Sequence, residues 1–490
     1  MIAFILNETD VSTDLPPGMT VLDFVRYHKD LKGTKIGCRE GDCGACTILV
    51  GELIDNEVRY RSMTSCLMPL ANAAGKHIVS IEGINPADGS LSPVQQAMVD
   101  ESGTQCGFCT VGFVMSLTGF CTDRSDKTPE MAVSAIDGNI CRCTGYKSIE
   151  RAACRVSDLM SDPPAAEGGT NSVANNSVVP KYFEHIPQRL KLFSADHVAT
   201  SPPPSRPLMQ TVLTGGGTDL YVQRHDEMTE SAALPLLYDE NLRGIRDTAE
   251  HIEIGASATV TDLLESPVMN AIFPDLYKHL KLVSSTPIRN MATIAGNFIN
   301  ASPIGDMTVW FLALDAEITL MPGPPMPGTQ PPSAAAERPL KLRDLYQGYK
   351  QLAKQPDEII TKIKFKKPNA DFRFNFEKVC KRTYLDIATV NTAISLQSEP
   401  PAVSGGLTRI SNVHVSAGGV APIPLYLKET SAFLTGKEVS EETIATGNEI
   451  LQSEISPISD VRGTEQYKRL LLRQLFKAHF VELFATESNE

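Results

Sequence analysis

Eight cysteines in two groups of four restrict the possible folds of this 490-residue chain more than any other feature of its sequence. In the first group, four residues separate Cys38 from Cys43, two separate Cys43 from Cys46, and Cys66 follows at a distance. The C-x4-C-x2-C pattern with a distant fourth cysteine is the ligand spacing of plant-type [2Fe-2S] proteins. The sequence therefore predicts that these four thiolates hold one [2Fe-2S] cluster.

Glycines surround the first three of these cysteines, at Gly37, Gly41 and Gly44. Because glycine permits backbone angles that a side chain forbids, the loop can curl around a cluster and turn its N–H groups toward the sulfurs. A tetrahedral zinc site, which four thiolates also suit, is the alternative. Zinc sites usually combine two C-x2-C pairs and need no glycine-rich loop, so the cluster is the preferred interpretation.

The second group consists of two pairs with 31 residues between them: Cys106 and Cys109, then Cys141 and Cys143. Residues 110–120 are apolar, with large side chains at near-helical spacing, and Pro129 is suited to the first turn of a second helix. A helical hairpin would present both pairs at the same end. These four cysteines are therefore predicted to hold a second [2Fe-2S] cluster.

Disulfide bonds are the alternative for the second group. The chain begins with a short apolar run, residues 1–6, which lacks the basic residues of a secretory signal and is better interpreted as a first β-strand. We therefore expect a cytoplasmic protein, and in such a reducing compartment clustered thiols more often bind metals. Three other cysteines lack ligand spacing and are expected to be ordinary buried thiols: Cys121, Cys154 and Cys380.

Composition excludes two classes of partner. The 45 basic and 58 acidic residues give a net charge of −13, which argues against a nucleic-acid-binding surface. The sequence has no apolar run approaching the roughly 18 residues of a membrane helix, so no membrane partner is expected. The length predicts three or four domains.

The first part of the chain divides into two domains and a linker. Residues 1–82 alternate apolar and polar positions in short runs, as in a small β-grasp domain, with residues 21–28 as its helix. Residues 83–160 are predicted to be helical, with a helix start at Ser92. Residues 161–180 are rich in Pro, Ala, Gly, Ser and Asn, cannot bury enough apolar surface to fold, and are predicted to form a linker.

A weaker break near residues 365–372 divides the second part into expected domains at 181–366 and 367–490. Two proline-rich stretches, residues 200–207 and 321–339, are predicted to be surface loops or insertions.

Three consecutive glycines follow an apolar strand in the segment Leu213, Thr214, Gly215, Gly216, Gly217, Thr218, Asp219 and Leu220. Consecutive glycines let backbone N–H groups converge on an anion such as a pyrophosphate. The segment does not fit the dinucleotide fingerprint G-x-G-x-x-G, so it is no Rossmann site. Taken alone, a tight structural turn is the preferred interpretation of this glycine turn.

Residues 286–306 combine small residues with Asn, Ser and Asp, and they carry too little charge for an exposed loop. Small residues allow a ligand to approach the backbone, and amide and hydroxyl groups can bind phosphate and ribitol. This stretch favours a cofactor site. Its Ile and Phe side chains, including Ile294 and Phe298, are expected at the edge of a buried strand.

With both cysteine groups, the glycine turn and residues 286–306 in view, the chain resembles the iron-sulfur and flavin part of the molybdenum hydroxylase family, the xanthine dehydrogenases in particular. The most specific matches, in the family's order, are residues 38–46, 105–109, 139–146, 213–220 and 293–306. The resemblance covers nearly the whole chain and implies a multidomain α+β protein. Its domains would be a β-grasp [2Fe-2S] ferredoxin domain, a helical [2Fe-2S] domain, a vanillyl-alcohol-oxidase-type FAD-binding domain and a small α+β C-terminal domain like that of CO dehydrogenase flavoproteins.

The resemblance also implies roles for individual residues. FAD would be bound by residues 213–220 and by Thr293, Ile294, Ala295, Gly296, Asn297, Asp306 and Lys428. Gln105 and Cys143 would lie near a pterin on a partner subunit. The family's Asp-Ile-Ala motif is present at Asp386, but an acidic residue that usually precedes it is missing, which leaves the polar contacts there open.

Two one-electron clusters and one flavin in a single chain predict an electron-transfer protein, since FAD can collect single electrons and pass a hydride to NAD. The resemblance implies that a molybdenum cofactor on a separate large subunit hydroxylates hypoxanthine and xanthine towards urate, in a heterotetramer. Electrons would then run through the second cluster, the first cluster and FAD to NAD. No residue of this chain is expected to be a catalytic acid, base or nucleophile, and its nine histidines are scattered.

Two other functions stay open from the sequence. One is the equivalent subunit of an aldehyde, aromatic or CO hydroxylase, which belongs to the same family. The other is a stand-alone electron-transfer protein, or a zinc-stabilised binding protein, with no partner.

Overall fold

The computed structural model describes residues 1–161, 178–196, 211–324, 337–382, 384–399 and 407–484. The chain divides into two compact units, one formed by Met1–Leu237 and Ser285–Ala292, the other by Tyr238–Ser284 and Thr293–Glu490. Most of the predicted linker and of the loop at 321–339, and all of the loop at 200–207, lie outside the described residues. Among the described helices, none is both long and apolar enough to cross a bilayer.

The first unit begins with a mixed five-stranded sheet. Its strands lie in the spatial order Thr9–Thr13, Ile2–Leu6, His77–Val79, Thr47–Ile54 and Glu57–Thr64. The pair Ile2–Leu6 and His77–Val79 is parallel, and the other pairs are antiparallel. This topology agrees with the predicted β-grasp domain, and the expected first strand is present.

A helix packs on one face of this sheet, where the sequence predicts it. An α-helical turn, Val21–Asp23, continues as a π-helical segment, Phe24–His28. Val21 and Phe24 are buried with Phe4 and Ile48 of the sheet. On the opposite face, Ile5 packs against the helix Ile186–Asp196.

The second domain of this unit is helical, as predicted. Its helices are Pro93–Asp100, Thr110–Thr122, Pro129–Ala135 and Lys147–Ser161. Ser92 and Gln95 form a reciprocal capping box at the first, so the predicted start at Ser92 is confirmed. Apolar side chains of the four helices share one core, in which Phe113 and Leu117 are fully buried.

Residues from the predicted flavin domain also belong to the first unit. The strand Thr211–Thr214 pairs in parallel with Ala232–Pro235, and the short helices Leu220–Gln223 and His225–Thr229 lie between them in sequence. The hydroxyl group of Tyr221 donates a hydrogen bond of 2.6 Å to the carbonyl oxygen of Gly18. This segment therefore packs on the β-grasp domain. The helix Thr286–Arg289 and the 3-10 helices Leu70–Ala73, Ile81–Ile84 and Lys181–His185 complete the unit.

The second unit begins with an antiparallel five-stranded sheet. Its strands lie in the order Arg338–Lys341, Glu317–Pro322, Glu358–Lys366, His251–Gly255 and Ile245–Asp247, beside a separate hairpin of Tyr346–Gly348 and Gln351–Leu352. The accompanying helices are Val260–Glu265, Pro267–Ile272, Leu276–Leu280, Ile294–Asn300 and Asp306–Leu312, with 3-10 turns at Glu240–Leu242 and Leu342–Asp344. Trp310 is fully buried and contacts Phe273 and Phe311 in the core.

The last part of the second unit is a small α+β domain. An antiparallel four-stranded sheet, Phe372–Val379, Val390–Glu399, Arg409–Gly418 and Leu425–Tyr426, is covered by the helices Lys428–Leu434, Glu441–Glu454 and Glu465–Phe484. The predicted break near residues 365–372 lies between two strands that end at Lys366 and begin at Phe372.

One expectation about secondary structure is wrong, and a second has bounds that are too wide. Ile294 and Phe298 are buried as expected, but they lie on the helix Ile294–Asn300 and not on a strand. The i, i+4 spacing of these residues and an N-cap hydrogen bond from Gly296 N–H to Thr293 Oγ1 favour the helix. The predicted loop at 321–339 begins and ends inside strands, since Met321 pairs with Ile359 and Pro339 with Thr319.

Candidate iron-sulfur and flavin sites

The first cysteine group lies in a loop before the strand Thr47–Ile54, with Cys66 just after the strand Glu57–Thr64. Cys46 and Cys66 are buried, and Cys38 and Cys43 are half-buried. Backbone N–H groups point at the sulfurs: Cys38 N–H donates to Cys43 Sγ at 3.4 Å, and Glu40 N–H donates to Cys38 Sγ at 3.3 Å. Such hydrogen bonds stabilise negative charge on ligand sulfur.

The four thiols are arranged as two pairs, with Cys38 hydrogen-bonded to Cys43 and Cys46 to Cys66. No three or more His, Cys, Asp or Glu side chains within the described ranges are grouped so that they could hold one metal ion. A [2Fe-2S] cluster has two irons with two protein ligands each. Two pairs of thiols fit the two irons of this cluster.

Hydrogen bonding within the first group makes some thiols easier to ionise. The hydrogen bond with Cys43 lowers the pKa of Cys38 to about 5, and the bond with Cys66 lowers the pKa of Cys46. The same bonds, together with burial, raise the pKa of Cys43 and of Cys66. Within each pair, the hydrogen bond thus favours the thiolate of one cysteine over that of the other.

Glycine is required where the loop passes the sulfurs. A Cβ atom at Gly37 would lie 2.5 Å from Cys43 Sγ, closer than any real contact. Gly41 and Gly44 have positive φ angles of +74° and +69°, which favour glycine. The loop is therefore shaped around the thiols, and its donor set fits the predicted cluster.

The second cysteine group joins two turns of the helical domain. Cys109 is the N-cap residue of the helix Thr110–Thr122, and Cys141 lies shortly before the helix Lys147–Ser161. Cys106 is hydrogen-bonded to Cys143, and Cys109 to Cys141. The structure thus brings the two predicted pairs together.

The environment of this group differs between its two sides. Cys106, Cys143 and Gln105 are exposed, and Cys141 is buried. Thr144 donates to Cys141 Sγ through its N–H group at 3.5 Å and its side chain lies 3.1 Å from the same sulfur. Although burial raises it, these hydrogen bonds hold the pKa of Cys141 below its usual value. The exposed side is the one on which Gln105 and Cys143 were expected to face a pterin.

The glycine turn of the predicted flavin site lies in the first unit, and the structure shows how tightly the protein itself packs there. A Cβ atom at Gly216 would lie 2.0 Å from the carbonyl oxygen of Met291, and one at Gly217 would lie 2.5 Å from that of Leu67. Asn72 Nδ2 donates to the carbonyl oxygen of Gly215 at 3.0 Å. These glycines are required by the protein's own packing, so the structural interpretation of the turn holds whether or not it also binds a cofactor.

The other predicted flavin residues lie in the second unit. In the helix Ile294–Asn300, the N–H groups of Ile294 and Ala295 bond to Ala258 and Ala256, and those of Gly296 and Asn297 bond to Thr293. Asn297 Oδ1 accepts from Thr308. The N–H groups of these four residues are thus all hydrogen-bonded within the unit.

Asp306 belongs to a largely buried polar cluster that the sequence did not reveal. Lys378 Nζ donates to Asp306 Oδ2 at 2.7 Å, and Asn391 Nδ2 donates to Oδ1 at 2.6 Å. The Lys378 side chain is only 1% exposed. Because these partners lie 72 and 85 positions after Asp306, no local pattern could have found them.

Two positions near the end of the predicted site are polar and accessible. Lys428 is exposed at the start of the helix Lys428–Leu434. Asp386 accepts hydrogen bonds from Arg382, including one of 2.8 Å from its N–H group. Although burial raises it, these bonds lower the pKa of Asp386 overall. Arg382 is thus a polar partner at the place where the sequence departs from the family.

The sequence matches four family models in succession. They are described as a 2Fe-2S iron-sulfur cluster binding domain at residues 4–71, a [2Fe-2S] binding domain at 80–154, an FAD binding domain in molybdopterin dehydrogenase at 205–368 and a CO dehydrogenase flavoprotein C-terminal domain at 376–483. The chain belongs to the iron-sulfur/FAD part of the molybdenum hydroxylase family. The predicted multidomain α+β fold is confirmed, and two [2Fe-2S] clusters and FAD are the cofactors of its domains.

Curated relatives of this molybdenum hydroxylase chain include xanthine dehydrogenases, of which three are compared below. It is 30% identical to xanthine dehydrogenase of Emericella nidulans over 91% of its length, and 27% identical to xanthine dehydrogenase 1 of Arabidopsis thaliana over 94%. It is 25% identical to xanthine dehydrogenase/oxidase of Rattus norvegicus over 99% of its length. The chain spans 36%, 38% and 39% of the length of these relatives.

Comparison with solved structures gives partial matches that include two oxidoreductase chains. Carbon monoxide dehydrogenase from Hydrogenophaga pseudoflava is 24% identical, with a TM-score of 0.49, over 56% of this chain and 90% of that one. Quinoline 2-oxidoreductase from Pseudomonas putida 86 is 21% identical, with a TM-score of 0.47, over 56% of this chain and 89% of that one.

Proposed function

We propose that this chain is the iron-sulfur/FAD subunit of a xanthine dehydrogenase. The observation that carries the proposal is its alignment with xanthine dehydrogenases of a fungus, a plant and a mammal over 91%, 94% and 99% of its length. Both cluster domains, the FAD-binding domain and the C-terminal domain follow one another in a single polypeptide, which suits a chain that passes electrons along its length.

In this role each cysteine group holds one [2Fe-2S] cluster, and residues 213–220, residues 293–297, Asp306 and Lys428 bind FAD. When bound, the clusters carry single electrons and FAD exchanges electrons singly or in pairs. The chain supplies the N–H groups of Cys38 and Glu40, which stabilise negative charge at the first cysteine group. It also supplies the buried Lys378, which holds the Asp306 carboxylate in one orientation.

The source and the acceptor of the electrons are also part of the proposal. A molybdenum cofactor on a partner large subunit would hydroxylate hypoxanthine and xanthine towards urate, and NAD would accept the electrons from FAD. The match of residues 205–368 to the FAD binding domain in molybdopterin dehydrogenase supports a partner that holds the molybdenum cofactor. The exposed side of the second cysteine group, with Gln105, Cys106 and Cys143, suits contact with it. We expect a cytoplasmic heterotetramer.

Purification of the native complex tests this function. We expect the chain to elute with a second, molybdenum-containing polypeptide, and the complex to reduce NAD when xanthine is added. The isolated chain, loaded with its clusters and FAD, should oxidise NADH with an artificial electron acceptor but should not turn over xanthine. Xanthine oxidation by the isolated chain, or a native preparation without a molybdenum protein, would contradict the proposal.

A second candidate is the equivalent subunit of an aldehyde, aromatic or CO hydroxylase. The match of residues 376–483 to the CO dehydrogenase flavoprotein C-terminal domain favours it. A panel of xanthine, an aldehyde, an N-heteroaromatic compound and CO, tested on the same native complex, separates the two candidates. Reduction of the complex by xanthine alone supports the first, and reduction by one of the others supports the second.

A further inference from the structure

A cavity of about 370 Å³ in the second unit is lined by both of its larger sheets. The five-stranded sheet contributes His251, Glu317, Lys341, Lys364 and Lys366. The four-stranded sheet contributes Phe372, Ser395, Leu396, Gln397, Asn412 and His414. Small-molecule sites commonly have volumes of about 300–1,000 Å³, so this cavity, called the inter-sheet cavity below, has room for a compact ligand.

The inter-sheet cavity is separate from the predicted flavin residues of the same unit. Asn391, which bonds to Asp306, lies near the start of the strand Val390–Glu399. Gln397 lines the cavity six positions further along this strand, which corresponds to about 20 Å at roughly 3.3 Å per residue. The cavity is therefore not a part of the candidate flavin site.

Both carboxylates that line the cavity are already paired with cations. Lys341 Nζ lies 3.0 Å from Asp315 Oδ2, and Arg343 Nη1 lies 3.2 Å from Asp315 Oδ1. Lys364 Nζ lies 2.8 Å from Glu317 Oε1. Neither carboxylate is thus left to attract a cationic ligand.

Lys366 is in a different situation from these two lysines. It is exposed, and no acidic side chain of the described residues forms an ion pair with it. Lys366 lies directly opposite His251 in the antiparallel pair of strands. Directly opposed side chains of such a pair lie on one face of the sheet, about 5 Å apart at Cβ. An ammonium group and an imidazole therefore stand side by side in the lining.

The wall formed by the four-stranded sheet is uncharged. Asn412 Nδ2 donates to His414 Nε2 at 3.3 Å, and burial lowers the pKa of His414, so its imidazole is neutral near neutral pH. Phe372 and Pro368 are half-buried and give the cavity an apolar surface. An aromatic ring packed against Phe372 would gain from ring contact as well as from burial.

We propose that the inter-sheet cavity binds a small aromatic carboxylate. Lys366 and His251 would donate hydrogen bonds to the carboxylate, and the ring would pack on Phe372 and Pro368. Charge-assisted hydrogen bonds to a carboxylate are stronger than neutral ones, so the anionic end fixes the orientation of the ligand. The proposal does not depend on the proposed function, because none of these residues is predicted to bind a cluster or FAD.

Three probes of similar size test the chemistry of the site on the full chain, loaded with its clusters and FAD. They are benzoate, benzamidine, which carries the opposite charge on the same ring, and acetate, which has the carboxylate without the ring. Equilibrium dialysis measures their binding. We expect one saturable site for benzoate, no saturable binding of benzamidine, and displacement of benzoate by acetate only at concentrations about tenfold higher or more.

Lys366→Gln is the variant that tests the position of the site, because glutamine removes the charge of an exposed side chain. We expect benzoate binding to weaken about tenfold. Lys367→Gln is the control. Lys367 is the next residue, is also exposed and pairs with Asp247 at 2.7 Å, but it does not line the cavity. Benzoate binding should be unchanged in this control.

Lys366→Glu gives a result that loss of folding cannot imitate. The reversed charge should abolish binding of benzoate and create binding of benzamidine at the same site. The flavin absorbance of the wild-type protein should not change when benzoate binds, because the cavity is separate from the candidate flavin site.

Four results would overturn the proposal. They are the absence of saturable benzoate binding to the wild-type protein, equal binding of benzoate and acetate, an unchanged affinity in Lys366→Gln, and a change in the flavin absorbance on binding, which would place benzoate at the flavin. None of them bears on the clusters or on xanthine oxidation, so the proposed function stands or fails separately.

Discussion

Gly44 shows how much the cluster loops depend on single residues. Its φ angle is +69°, and a side chain there would meet Gly138 and Asn139 of the neighbouring loop. Gly75 has nearly the same φ angle, +68°, but an added Cβ would have nothing within 4 Å. The two glycines therefore separate the cost of backbone strain from the cost of crowding.

We predict that Gly75→Ala destabilises the first unit by about 1 kcal/mol. This is the usual cost of holding an L-amino acid in the left-handed backbone conformation. Gly44→Ala should cost about 1–3 kcal/mol more, because the added methyl group also crowds Gly138 and Asn139. The check is the urea midpoint by circular dichroism, with the fluorescence of Trp310, the single tryptophan, as an internal control for the second unit. Equal midpoints for the two variants would refute the crowding at Gly44.

Single residues also show where sequence reasoning ends. The glycines of the first cysteine loop could be predicted, because the ligand spacing itself requires a curled backbone there. Lys378 and Asn391 could not, since only the fold brings them to Asp306. Gly216 was given a possible role at a cofactor, yet the nearest group to an added Cβ is the protein's own Met291 carbonyl oxygen.

Several elements of the second unit are joined by a buried chain of hydrogen bonds. His279 Nε2 bonds to Asn375 Oδ1 at 3.2 Å, Asn375 Nδ2 donates to His479 Nδ1 at 3.0 Å, and His479 Nε2 bonds to Thr392 Oγ1 at 3.3 Å. Burial lowers the pKa of His279 to about 4 and that of His479 to about 3. Both imidazoles are therefore neutral in the folded protein near neutral pH. The chain connects the helices Leu276–Leu280 and Glu465–Phe484 with the strands Phe372–Val379 and Val390–Glu399.

We predict that acid destabilises the second unit through these two histidines. In the unfolded chain they take up protons near pH 6.5, whereas in the folded protein they stay neutral to about pH 4, so the unfolded state binds more protons between these values. The free energy of unfolding should therefore decrease as the pH falls, by about 2 kcal/mol for each histidine at pH 5. Urea unfolding followed by Trp310 fluorescence at pH 7 and pH 5 measures this decrease.

The variant His479→Gln should have a shallower pH dependence, by about the contribution of one histidine. If His479→Gln shows the same slope as the wild-type protein, the neutral buried imidazole is not the cause.

Local signals decide which elements the sequence can predict. The helix starting at Pro93 was predictable because its N-cap, its proline and its apolar residues all lie within about two turns. The helix Ile294–Asn300 was expected as a strand edge, because a short apolar stretch shows no clear period and its N-cap, Thr293, went unrecognised.

At the scale of the whole molecule, the order of the domains could be predicted, and the composition of the compact units could not. Both cysteine groups, the glycine turn and the break before Phe372 are local features. The assignment of residues 211–237 to the first unit depends on contacts such as the one between Tyr221 and Gly18, which are 203 residues apart. The predicted flavin residues are consequently distributed over both units.

Iron, sulfide, zinc and flavin analysis of the anaerobically purified chain tests the central claim most directly, that eight cysteines hold two [2Fe-2S] clusters in a flavoprotein. We predict about four iron atoms, four sulfides and one FAD per chain, with no stoichiometric zinc, and about two iron atoms in Cys43→Ser. Cys121→Ser, which removes a buried thiol outside both groups, should keep all four. A chain that contains zinc in place of iron, or an unchanged iron content in Cys43→Ser, would contradict the account.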